Sequence, residues 1–181
     1  METKTLSKNL KVYDLNFLNA NVKIYKDNIQ NPIVKCDESF LVSENDTTVK
    51  INELSLKRTK NLELVLPNNS NNEEIIFSSV IGNINLKNLI LNRLIISHVN
   101  GNINLEDVDS LFTDIKLIHG DIIAEINNSI FNYTTRTLGN CEQSTIEMMD
   151  TNNILSFSKN KHHLSVSNKE GNIKILFKGK R

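Results

Sequence analysis

The chain has 181 residues, enough for one domain with a sizeable core. Lysine plus arginine and aspartate plus glutamate each number 21, so the net charge is zero, which argues against a general binder of nucleic acid or anionic membrane. Cys36 and Cys141 stand too far apart for metal or redox spacing, so no cofactor and no metal are expected.

Residues 1–60 are read as short alternating strands. Val22-Lys23-Ile24-Tyr25 is followed by a polar turn over Asp27–Asn31 and by Pro32. Ile33-Val34-Lys35-Cys36, Phe40-Leu41-Val42, Val49-Lys50-Ile51 and Leu54-Ser55-Leu56 continue the pattern, broken by Asp, Asn and Ser turn chemistry. This stretch is expected to form a β lobe that caps the region after it. Met1–Ala20 has no apolar core of signal-peptide length. Leu89–Ile96 is interrupted by Asn92 and Arg93 and is far from spanning length. The expected location is therefore cytoplasmic, with no integral membrane segment and envelope contact only through a partner.

Residues 61–140 are more regular. Leu62-Glu63-Leu64-Val65-Leu66-Pro67 alternates and stops at proline, Asn68–Asn72 is a polar loop, and Ile75-Ile76-Phe77 leads to a glycine. Gly82, Gly101, Gly120 and Gly139 then recur at a constant spacing of 19 residues. The tags read Gly82-Asn83-Ile84-Asn85-Leu86, Gly101-Asn102-Ile103-Asn104-Leu105 and Gly120-Asp121-Ile122-Ile123-Ala124, then Gly139-Asn140-Cys141. A further tag, Gly171-Asn172-Ile173-Lys174-Ile175, lies off the period.

A constant period near 20 with an alternating apolar tag predicts stacked turns of chain. The expected fold is all-β: a single-stranded β-helix or β-solenoid with about 19-residue turns and irregular capping ends. The five glycines are read as corners, where a Cβ would clash or φ must be positive. Asn83, Asn102, Asp121 and Asn140 would share one column, either as a structural ladder of stacked amides or as a by-product of abundant asparagine. Residues 141–181 are expected to form an irregular last turn. Glu142–Asp150 reads as a short helix or loop, and Ile154-Leu155-Ser156-Phe157 and Leu164-Ser165-Val166 read as strands.

The order of a Val22-Lys23-Ile24 strand, a Pro32-Ile33-Val34 strand, a strand ending in Leu66-Pro67 and then Gly-Asn-Ile turns resembles the bacterial putative-adhesin, or toastrack, domains, a family of unknown function. The resemblance spans about residues 20–177. It implies a β-solenoid and a binding role, in some members joined to membrane segments of envelope-stress proteins. No catalytic residue carries over.

Few residues suggest chemistry. His162 and His163 are adjacent and on a strand would face opposite ways. His98 and His119 precede successive glycines and are read as solvated surface histidines, with a shared ligand as the alternative. Glu106 and Glu125 share a column with Lys87 one turn earlier: a solvated face, or a cation or sugar site. Phosphate loops and nucleophile elbows are absent. The chain is thus expected to be a non-enzymatic binding or scaffold module, monomeric or homo-oligomeric, with an unidentified protein or glycan partner. The alternatives are a bactofilin-like self-assembling polymer and, third, a carbohydrate-active protein.

Overall fold

The computed structural model describes residues 1–179 except 56, 57, 72, 129, 140–143 and 149–161. The described residues are all-β apart from a single 3-10 turn at Ile130–Asn132. The strands are β1 (Glu2–Thr5), β2 (Val12–Asp27), β3 (Ile33–Cys36), β4 (Phe40–Glu44), β5 (Thr48–Glu53), β6 (Lys60–Pro67) and β7 (Glu73–Ile81). They continue as β8 (Ile84–Asn100), β9 (Ile103–His119), β10 (Ile122–Ile126), β11 (Tyr133–Gly139), β12 (Ser144–Met148), β13 (His162–Glu170) and β14 (Ile173–Phe177). All join one large mixed sheet that does not close on itself.

Two columns of parallel pairing run through it. In one, Val22, Ile84, Ile103, Ile122 and Ile173 stand in register on β2, β8, β9, β10 and β14. In the other, Ile51, Leu15, Phe77, Ile96, Ile115 and Val166 align on β5, β2, β7, β8, β9 and β13. All of these side chains are buried in one continuous apolar cluster. The long strands β2, β8 and β9 each contribute to both columns, so a single strand must turn a corner midway. In β8 and β9 the corner falls at Asn88 and Asp107, whose φ angles are 54° and 53°. Asn and Asp tolerate this left-handed region because a short polar side chain can bond locally.

Glycine makes the return between columns. Gly101 has φ +140°, and a Cβ there would lie 1.8 Å from the carbonyl oxygen of Gly82. Gly120 stacks on Gly101 and Gly171 on Gly120 in the same way, while Gly82 stacks on Ala20. Backbone thus packs directly on backbone along this edge, and no side chain fits.

Two sequence expectations need correction. Gly139 does not continue the glycine column: it ends β11, opposite Asn168 of β13, and Gly171 takes the place beneath Gly120. The physical reason is an interleaved chain end. β13 and β14 pair with β9 and β10 on one side and with β11 and β12 on the other, so the last strands in sequence are not the last in space. Secondly, within Glu142–Asp150 the described Ser144–Met148 is a strand, because β14 offers it a parallel edge. β2, in the stretch read as a capping β lobe, pairs directly with β7 and β8 as part of both columns. Antiparallel strands β1, β3 and β4 flank that end. Cys36 is buried with a free thiol, and the strand expected at Ile154–Phe157, Cys141 and Asn140 lie outside the described residues.

Candidate functional site

The asparagine column is built from side chain to backbone rather than from amide to amide. The Asn21 Oδ1 accepts the Asn83 N–H at 2.9 Å, Asn83 Oδ1 accepts that of Asn102 at 3.0 Å, and Asn102 Oδ1 accepts that of Asp121 at 2.9 Å. Asp121 Oδ1 then accepts the Asn172 N–H at 2.7 Å. These bonds satisfy the N–H that follows each corner, which the ladder itself leaves unpaired. The side chains of Asn83 and Asn102 are exposed, but their oxygens are already engaged.

The charged column is likewise internally paired. Lys87 Nζ lies 2.6 Å from Glu106, while Glu125 is bridged by Lys178 at 2.6 Å, which also holds Asp107 at 2.9 Å. Hydrogen bonds to Glu125 and then Asp107 raise the pKa of Lys178. Glu106 and Glu125 therefore each face an ammonium and are held in ion pairs rather than left free to converge on a ligand.

The two histidines separate. His119 is exposed, with Nδ1 2.8 Å from Glu170. His98, expected at the surface, is buried at 3% exposure, its Nε2 2.8 Å from Gly82 O and its Nδ1 3.3 Å from Ser79 O. The reason is alternation: counted back from Gly101, position 98 points into the core and position 99 outward. Burial depresses the His98 pKa, outweighing the opposite pull of the carbonyls of Gly82, Ser79 and Asn100.

A second polar knot joins β9, β11 and β13. The Tyr133 hydroxyl donates to Asp109, Asn128 Nδ2 donates to the other Asp109 oxygen at 3.0 Å, and His162 Nδ1 lies 3.0 Å from Ser110 O. Burial, then the Asp109 charge, push the Tyr133 phenol well up, so it stays a neutral donor. This knot fastens the interleaved strands. Phe112 stacks on His163 with centroids 5.2 Å apart beside it.

Concavity occurs elsewhere, at the edge where β2 ends. The segment before β2, the loop between β2 and β3 and the loop between β6 and β7 enclose an inner pocket of about 180 Å³. It opens into a wider trough of about 580 Å³, and Lys8, Gln30 and Asn69 line both. Tyr13 and Glu73 form the inner wall; each is only 1% exposed. Glu73 Oε2 has no hydrogen-bond partner among the described residues. Burial, then the charge of Glu73, raise the Tyr13 pKa, and the same charge acts on Lys26, whose pKa burial lowers on balance. Lys26 itself is held by Ser70 O and by Asn71 Oδ1. The sequence marked Asn68–Asn72 only as a polar loop. Nothing in its spacing shows that Glu73 is buried behind it.

One surface feature has a sequence signal that was available. Leu18, Val80, Val99 and Ile118 form a half-exposed aliphatic stripe beside the glycine column, and the last three keep the spacing of 19.

The fold is all-β, with a cleft at the edge where β2 ends; among the described residues no group of three or more His, Cys, Asp or Glu could hold a metal ion. No described helix is long and apolar enough to cross a membrane. No family model and no curated protein matches the chain. Solved structures do. A putative cell adhesion protein from Clostridium sporogenes shares the fold over 98% of both chains, with a TM-score of 0.69 and 14% identity. A putative adhesin from Bacteroides fragilis is further away, at a TM-score of 0.36 and 12% identity over 96% of this chain and 97% of that one. A putative lipid binding protein from Parabacteroides distasonis stands at 0.27 and 11%, over 96% of each chain. The first of these, a putative cell adhesion protein, agrees with the putative-adhesin domains that the Gly-Asn-Ile tags resemble, and the likeness is one of fold.

Proposed function

We propose that this chain is a non-enzymatic binding module, built as a β-solenoid of about 19-residue turns, that takes its ligand in the cleft between residues 8–11, 28–32, 67–70 and Glu73. The solenoid reading is supported by the two parallel columns and by the stacking of Gly82, Gly101, Gly120 and Gly171. The binding reading is carried by Glu73. Burying a carboxyl oxygen without a partner costs roughly 1–3 kcal/mol or more, and a ligand that donates to Glu73 Oε2 offsets that cost. The absence of an enzymatic role is supported by the pairing of Glu106 and Glu125 with lysines. A place at the bacterial envelope, reached through a partner, belongs to the same reading.

An amide NMR screen of isotope-labelled full-length chain against a small-molecule fragment mixture tests it. Shifts are expected at Gln30, Asn69 and Glu73, and Glu73→Gln should weaken them. Shifts confined to other faces, or none, would overturn the cleft as the binding site.

A second reading, a bactofilin-like polymer, is favoured by one observation: β11 and β12 at the far end each pair on one side only among the described residues. Filaments in negative-stain micrographs would support it, and monodisperse particles would exclude it.

A further inference from the structure

We infer that the cleft recognises the terminal residue of a neutral carbohydrate, with the sugar ring in the inner pocket and the rest of the chain along the outer trough. This rests on the cleft being the binding site, and four observations extend it to a ligand class.

The first is charge at two depths. Lys8 and Lys11 are exposed at the mouth, and Glu73 is buried at the inner wall. An anion is drawn to the lysines but is repelled by Glu73 as it enters. A divalent cation must pass two ammonium groups to reach a single carboxyl, and the hard-cation sites of proteins need several oxygen ligands. An uncharged ligand meets neither obstacle.

The second is the amide rim. Asn28, Gln30, Asn68 and Asn69 are exposed around the opening. Each side-chain amide offers both a carbonyl acceptor and an NH₂ donor. A hydroxyl is also donor and acceptor at once, so a polyhydroxylated ring can satisfy such a rim at several points without net charge.

The third is the open acceptor. Glu73 Oε2 needs a donor, and a sugar hydroxyl supplies one in a charge-assisted bond of about twice the strength of a neutral one. The fourth is the apolar part of the wall. Leu10, Pro32 and Pro67 are buried and line the inner pocket beside Tyr13. A pyranose is polar at its edge but carries C–H groups on its face, and this wall gives that face a surface.

The test is an amide NMR titration of the full-length chain with glucose, galactose, mannose and N-acetylglucosamine, each with its trisaccharide where one exists. Inorganic phosphate, calcium and free alanine are run as charged and zwitterionic probes. The expected result is saturable shifts at Gln30, Asn69, Ser70 and Glu73 with at least one sugar, in the range of about 1 mM Kd that a small polar site gives. Its trisaccharide should add shifts at Asn28 and Asn68. Gln30→Ala and Asn69→Ala, on exposed loops, should weaken binding at least fivefold with an unchanged melting temperature, and Glu73→Gln should weaken it tenfold or more. Saturable shifts at these amides with phosphate, calcium or alanine but with no sugar would overturn the carbohydrate inference and leave the binding reading standing. No shift at these amides with any probe overturns both. Sugar-induced shifts that persist unchanged in Gln30→Ala and Asn69→Ala would also overturn it.

Discussion

The Nε2 of His98 lies 2.8 Å from the carbonyl oxygen of Gly82, the corner glycine of the turn that Gly101 packs against. Asn168 repeats the arrangement two strands on: it too stands three residues before a corner glycine, and its Nδ2 donates to Gly120 O at 2.8 Å. Close backbone stacking leaves these glycine carbonyls out of the strand ladder, so a polar side chain on the inner face of the preceding strand caps them. His98 does so as a neutral imidazole, because burial disfavours its charge.

That burial makes stability depend on pH in a defined direction. The folded-state pKa of His98 lies below its ordinary value of 6.5, so between the two values the unfolded chain binds the proton more readily. Stability is therefore full above about pH 6.5 and falls on acidification, with a slope of up to about 1.4 kcal/mol per pH unit, until the folded histidine also protonates. His98→Asn, copying Asn168, should keep a donor to Gly82 O and lose that slope. Urea unfolding of both chains from about pH 7.5 down to pH 5 measures it. Parallel slopes for the two chains would show that His98 is not the titrating group.

The corner itself has no room for a side chain. At Gly101 a Cβ would lie 1.8 Å from Gly82 O and 2.9 Å from His98 Nε2, at a φ of +140°. Backbone cannot move aside there without separating two turns. Gly101→Ala is expected to destabilise by at least about 3 kcal/mol, from strain and clash together. Asn83→Ala removes only the acceptor for the Asn102 N–H, on an exposed edge, and should cost about 1 kcal/mol. Thermal melts of the two variants should rank them in that order, and equal losses would mean that the glycine contact relaxes easily.

How much of this was legible depended on which signal a residue carried. Ile84, Ile103 and Ile122 announced the stack because the alternation and the constant spacing agree. Gly139 and Gly171 set those signals against each other. Gly139 keeps the spacing, but Cys141 follows where an inward Ile stands in the other tags. Gly171 breaks the spacing, but Ile173 and Ile175 fit the inward places beneath Ile122 and Ala124. Core filling decided, since an inserted segment can break a period while an unfilled inward position costs burial. Ala20-Asn21-Val22-Lys23-Ile24 is the same tag with alanine at the corner, and the missing glycine hid it. The cleft was not legible. Glu73 is buried by segments around residues 8–11, 28–32 and 67–70, and only the fold brings them together.

A buried ion pair marks the point where β2 passes from one column to the other. Lys60 donates to Glu53 Oε1 and to Ser55 O, and Glu53 Oε2 accepts the N–H groups of Leu18 and Asn19, both at 2.7 Å. The side chains of Lys60 and Glu53 are 2% and 0% exposed. Glu53→Gln leaves a buried ammonium without its counter-charge and should cost about 3–5 kcal/mol. Lys60→Met leaves Glu53 with two backbone donors, so its loss should be smaller. Chemical denaturation of the two variants checks the ranking, and an equal or reversed order would place the worth of the pair in Lys60 instead.

The interleaved end makes a claim about local stability. C-terminal strands ordinarily fray, because they pair on one side only. Here β14 pairs with β10 and β12, and β13 pairs with β9 and β11, so both are interior strands of the sheet. Their inward residues Leu164, Val166, Ile173, Ile175 and Phe177 are buried at 1% exposure or less. Opening them requires breaking two ladders and exposing the core between the columns. Hydrogen exchange should therefore find the amides of Leu164–Asn168 and Ile173–Phe177 protected to nearly the same degree as those of β8 and β9. Thr134–Leu138 of β11 and Thr145–Glu147 of β12 precede them in sequence, yet should exchange faster, because each of those strands has one partner among the described residues. If protection instead falls steadily from β9 to the last residue, the chain stacks in sequence order, and Gly139 rather than Gly171 lies beneath Gly120.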